Sequence, residues 1–120
     1  MLLSLTCMFL VAPSSPPSEV SFTEVSSTSF SLSWTAPPLE DHNGVVRHYN
    51  VSCTEQGSGN VFQQLTINSS TESLVNSLRP FYNYTCAVAA VTVVEGPFSS
   101  TVTITTGQDG NYIIQSLPLN

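Results

Sequence analysis

Residues 78–90 constrain the fold more than any other stretch of this chain. The run Leu78-Arg79-Pro80-Phe81-Tyr82-Asn83-Tyr84-Thr85-Cys86-Ala87-Val88-Ala89-Ala90 reads as a corner followed by a long strand. Leu78 and Pro80 mark the corner, because proline cannot donate to a sheet ladder. Tyr84, Cys86, Val88 and Ala90 then share one face, since strand side chains alternate with period two. A tyrosine just inside such a strand can return its hydroxyl to the corner backbone and lock the turn, the arrangement known as a tyrosine corner.

The rest of the chain keeps the same rhythm. A first strand is expected over about residues 20–25, after the stiff leader Pro13-Ser14-Ser15-Pro16-Pro17, which is expected to contribute no core residue. The second strand places Phe30, Leu32 and Trp34 on one face and Ser29, Ser31 and Ser33 on the other, until Pro37-Pro38 stops it. A loop follows, ending in the turn dipeptide Asn43-Gly44. The third strand, about 46–54, turns Tyr49, Val51 and Cys53 inward and His48, Asn50 and Ser52 outward. Short strands are expected near 61–66 and 71–76, and a last one over 99–106, where Val102 and Ile104 alternate with threonines. About seven short strands without helical periodicity make an all-β, immunoglobulin-like Greek-key β-sandwich.

Around residues 15–106 the ends have a different character. Residues 1–14 open with the apolar run Leu2, Leu3, Leu5, Met8, Phe9, Leu10 and Val11, which is too short to span a bilayer and matches a signal-peptide core with cleavage after Ser14. No Lys or Arg precedes that run, so the stump of an upstream element is the rival reading. Residues 107–120 form a polar tail with a small apolar patch at Tyr112-Ile113-Ile114, read as a linker or the start of a further module.

In order, the leading prolines, Trp34 with Pro37-Pro38, Tyr49-x-Val51, Leu78-x-Pro80, Tyr84-x-Cys86-x-Val88-x-Ala90 and Gly96-Pro97-Phe98-Ser99 resemble the fibronectin type III family. The resemblance covers about residues 15–106 and assigns Trp34, Tyr49, Leu78, Pro80 and Tyr84 to the structural core. An immunoglobulin domain shares the sandwich, but its signature runs Cys, Trp, Cys in chain order. Here Cys53 follows Trp34 instead, and no Trp-Ser-x-Trp-Ser box supports a cytokine-receptor module.

The family fold makes the third and sixth strands antiparallel neighbours. That placement implies a Cys53–Cys86 disulfide, with Val51 facing Val88 and Tyr49 facing Ala90. Cys7 lies in the presumed signal segment, which leaves an even pair for an oxidising compartment. Three sequons for N-linked glycans are present at Asn50, Asn68 and Asn83. None is on an inward position, so all three are expected to be reachable.

Charge and motifs narrow the function classes. The chain of 120 residues carries a formal charge of −6, with Arg47 and Arg79 as its cations and no lysine. Nucleic acid and anionic membrane surfaces are therefore poor partners, and no direct membrane contact is expected. No third ligand accompanies His42 and His48 at metal spacing, and nothing resembles a nucleophile elbow. Neither a catalytic site nor a cofactor is expected. The resemblance implies a secreted or cell-surface module that binds an extracellular protein, or a purely structural spacer in a longer receptor. Loops at one end supply the candidate interface: Asp41 and His42, with Val94 and Phe98 as a small apolar spot beside Glu95.

Overall fold

The structure is a computed structural model that describes residues 12–107. Eight strands form two packed sheets: β1 (Ser18–Thr23), β2 (Phe30–Thr35), β3 (His48–Glu55), β4 (Val61–Leu65), β5 (Glu72–Val75), β6 (Asn83–Val91), β7 (Glu95–Phe98) and β8 (Val102–Thr105). One sheet has the order β1-β2-β5, and the other runs β4-β3-β6-β7 with β8 also paired to β6. All pairings are antiparallel. Of the segment 1–14 read as a signal only residues 12–14 are described, and the tail beyond Gly107 lies outside the described residues.

The alternation in the sequence becomes the core. Phe30, Leu32 and Trp34 of β2 are buried against Tyr49, Val51 and Cys53 of β3 and Tyr84, Cys86, Val88 and Ala90 of β6. Aromatic rings meet edge to face, the favoured geometry for their quadrupoles. Phe22 and Phe30 have centroids 4.9 Å apart, and Trp34 and Tyr49 are 5.3 Å apart.

Two expectations are corrected. The last strand begins at Val102 rather than near residue 99, and Glu95–Phe98, where no strand is expected, form β7. Residues 99–101 separate β7 from β8 as partners of β6, with a register irregularity between Ala89 and Val91. Proline at position 97, which has no ladder donor, and Gly96 fit this short edge segment. The proline leader, in turn, does contribute to the packed body. Pro17 is fully buried and Pro13 is buried. Ser14 donates its backbone N–H to the Asp41 carbonyl at 2.9 Å, so the leader is tied to the β2–β3 connection.

The strand directions define two poles. One gathers the β2–β3, β4–β5 and β6–β7 connections, with residues 12–15 beside them. The other gathers the β1–β2 and β3–β4 turns, the corner before β6 and Gly107, whose N–H bonds to Ser26 and whose carbonyl accepts from Phe81.

Candidate functional site

At the corner pole, the tyrosine hydroxyl sits at the centre of a small polar network. The Arg79 backbone N–H donates to the Tyr84 hydroxyl at 2.9 Å, and that hydroxyl donates to Glu55 Oε2 at 3.0 Å. Ser58 adds a bond to Glu55 Oε1 at 2.6 Å, and Arg79 Nε lies 3.5 Å from Glu55 Oε2. The Ser58 hydroxyl, then Tyr84 and the Arg79 charge hold the Glu55 carboxyl below its ordinary pKa, against the opposing effect of burial. Burial pushes the Tyr84 phenol up, which keeps it protonated as a donor. Leu78 is buried beneath this corner and Pro80 is half-buried. Thr106, fully buried, donates to the Arg79 carbonyl at 2.5 Å and accepts from the Tyr82 N–H at 3.0 Å. Glu55 went unnoticed in the sequence because it follows the expected end of the third strand. Its only local sign is Ser58 three residues on, at the Gly-rich turn.

Cys53 and Cys86 are directly opposite in the β3–β6 ladder and are joined by a disulfide with Cα atoms 4.1 Å apart. Val51 faces Val88 and Tyr49 faces Ala90, the register that the pairing implies. The bond lies within one sheet. An immunoglobulin disulfide crosses between sheets, so that rival reading is set aside.

At the opposite pole the leader threads between loops. Asn43 donates its side-chain N–H to the Ala12 carbonyl at 2.9 Å, and Ser15 donates to the Asp41 carboxylate at 3.0 Å. A Cβ at Gly96 would lie 3.0 Å from both the Cβ and the carbonyl oxygen of Pro13. Asn43 adopts φ 57°, which its short polar side chain tolerates, and Gly44 follows at φ 145° against Thr92.

The candidate interface residues are therefore partly committed to internal contacts. Asp41 holds Ser15, His42 Nε2 donates to the Pro37 carbonyl at 2.8 Å, and Glu95 accepts from Asn50 at 2.6 Å. Glu95 and Phe98 belong to β7 rather than to a loop. Val94 and Phe98 are exposed, but less so than the apolar side chains on the connections of this pole. The open apolar groups of this pole are Leu39, Val45, Ile67 and Val93, and Ile67 is 99% exposed. At least one sits on each of the three connections, an arrangement that solubility alone does not require. Among the described residues no group of three or more His, Cys, Asp or Glu side chains is placed to hold a metal ion.

Of the three sequons, Asn68 and Asn83 are exposed and Asn50 is buried. The expectation that all three are reachable is corrected at Asn50. Its outward parity is real, but Gln63 on one side and Glu95 on the other cover it.

A fibronectin type III domain model matches residues 15–105. The chain belongs to the fibronectin type III family. Its sequence is 33% identical over 104 residues to the Cell adhesion molecule DSCAM of Gallus gallus, covering 82% of this chain and 5% of that protein. This fibronectin type III domain thus spans a small fraction of the relatives it matches. The FN5 domain of Drosophila Lar superposes with a TM-score of 0.63 at 30% identity, covering 78% of this chain and 99% of that one. The third fibronectin III domain of the human KIAA0343 protein gives 0.71 at 25% identity, covering 83% and 86%.

Proposed function

We propose that this domain is an extracellular module of a cell-surface adhesion receptor and that it binds a protein through the pole formed by Leu39, Val45 and Val93. The observation that carries the reading is the exposed apolar set on the loop pole, displayed by a disulfide-closed domain. Its relatives, named as cell adhesion molecules, support the same class. A disulfide between buried strands belongs to an oxidising compartment. Loops held on a rigid sandwich are suited to recognition, and apolar anchors with few charges favour a protein partner over a polyanion. The test is binding of the multimerised chain to the surface of live cells. Val45→Asp and Val93→Asp should each lower saturable binding at least tenfold while leaving the melting temperature in place. Saturable binding that both variants retain overturns the assignment.

A spacer role is the second reading, favoured by one observation. Ala12 lies at the loop pole beside Asn43, whereas Gly107 lies at the opposite pole beside Ser26. Modules joined through such ends run in line. Absence of any saturable binding supports this reading.

A further inference from the structure

We propose that Asn68 and Asn83 carry N-linked glycans in the folded, secreted chain and that Asn50, despite an equally complete sequon, carries none. The proposal rests on the extracellular reading above. A glycan joins the side-chain nitrogen of asparagine, so the environment of Nδ2 decides which sequon a folded domain tolerates.

At Asn50 that nitrogen is fully engaged. It donates to Glu95 at 2.6 Å and to Gln63 at 3.2 Å, and the residue is 7% exposed. The Oδ1 atom of the same amide is buried as well, without a hydrogen-bond partner. On either side stand β4, through the Asn50–Leu65 pairing, and β6, through Asn50–Ala89, across which Glu95 of β7 reaches the amide. A sugar on Nδ2 would replace one of the two N–H donors that hold Gln63 and Glu95 and would have to pass between those side chains, displacing the β7 segment that carries Glu95. Attachment precedes folding, so a chain modified at Asn50 cannot complete this face and is depleted from the secreted fraction.

The other two amides have the opposite geometry. Asn68 uses its oxygen to accept the Ser70 N–H at 3.1 Å, an Asx turn that leaves the nitrogen toward solvent on an exposed connection. Asn83 likewise uses its oxygen, accepting from the Thr105 hydroxyl, at the exposed start of β6. In both, the group that bonds to protein is the oxygen and the group that would bear sugar is open. The two glycans would stand at opposite poles. Asn68 adjoins Ile67, so its glycan would screen the β4–β5 side of the loop pole and leave the side with Leu39, Val45 and Val93 for a partner.

The experiment expresses the full chain through the secretory pathway of eukaryotic cells. The secreted protein is then deglycosylated enzymatically in heavy-oxygen water, which leaves labelled Asp at each formerly occupied Asn, and its peptides are mapped. Label at Asn68 and Asn83 with none at Asn50 is the expected result. Asn68→Gln and Asn83→Gln should each remove one glycan step from the intact mass, and Asn50→Gln should remove none. Label at Asn50 at a level comparable to the others overturns the sorting. So does its absence at either Asn68 or Asn83. Failure of the extracellular reading shows separately, as alkylatable thiols at Cys53 and Cys86 in the same secreted sample.

Discussion

Replacing Tyr84 with phenylalanine keeps the ring among Phe30, Phe62 and Tyr82 and removes a single oxygen. That oxygen accepts the Arg79 N–H and donates to a carboxylate, and the residue is 1% exposed. A neutral hydrogen bond contributes about 1 kcal/mol net and one to a charged group about 1.5–3 kcal/mol. Their loss together is worth about 2.5–4 kcal/mol. In a domain of this size each kcal/mol moves the melting temperature by at least about 4 °C, so Tyr84→Phe should melt about 10–20 °C lower. Thermal unfolding followed by circular dichroism, with the disulfide intact, measures this directly. A double-mutant cycle with Glu55→Gln sharpens the test. Two partners in one network should be non-additive by more than about 0.5 kcal/mol. A Tyr84→Phe drop below about 3 °C, or strict additivity, would refute the claim that this hydroxyl holds the corner.

Removal of the disulfide by Cys53→Ala with Cys86→Ala closes no loop across the 33-residue separation. The chain-entropy relation puts the cost at about 3–4 kcal/mol, read as a lower urea midpoint; an unchanged midpoint contradicts it. Glu55 has a folded pKa below its ordinary value of 4.5. Its stabilisation is therefore complete above that value and lost as pH falls through the lower folded one. The stability difference between the wild-type chain and Glu55→Gln should narrow from about pH 6 to about pH 3, and a difference independent of pH would rule out this role. Gly96→Val should displace Pro13 and destabilise the chain by about 1–3 kcal/mol, an overpacking effect. The same change in a chain beginning at Ser15 should be nearly neutral, and equal losses in both backgrounds would sink the contact.

Period-two alternation and antiparallel parity reach far in this chain. They place Trp34, Tyr49, Cys53 and Tyr84 on the inner faces, and the opposed numbering of β3 and β6 sets the cysteines face to face. What stays hidden depends on neighbours distant in sequence. Parity puts Asn50 on the outer face, but it says nothing of Gln63 and Glu95, 13 and 45 residues away, closing over it. Composition marks the leader as extended, yet Pro13 is buried where β7 comes to meet it and Ser14 and Ser15 are tied to the β2–β3 connection. The break between β7 and β8 and the role of Glu55 are likewise settled by partners on β6. The internal partners of Asp41, His42 and Glu95 stay hidden for the same reason. Charged side chains look available in a sequence until their internal partners are known.

The intra-sheet position of the disulfide also governs how the domain behaves under load. Tension applied to the two ends of the described domain acts at opposite poles. Once the sheets part, the chain pays out length only outside the stretch that Cys53 and Cys86 close. At about 3.3–3.6 Å per residue, that stretch withholds about 110 Å of slack. Reduction of this one covalent bond would release it, so the thiol state sets how far the unfolded domain extends.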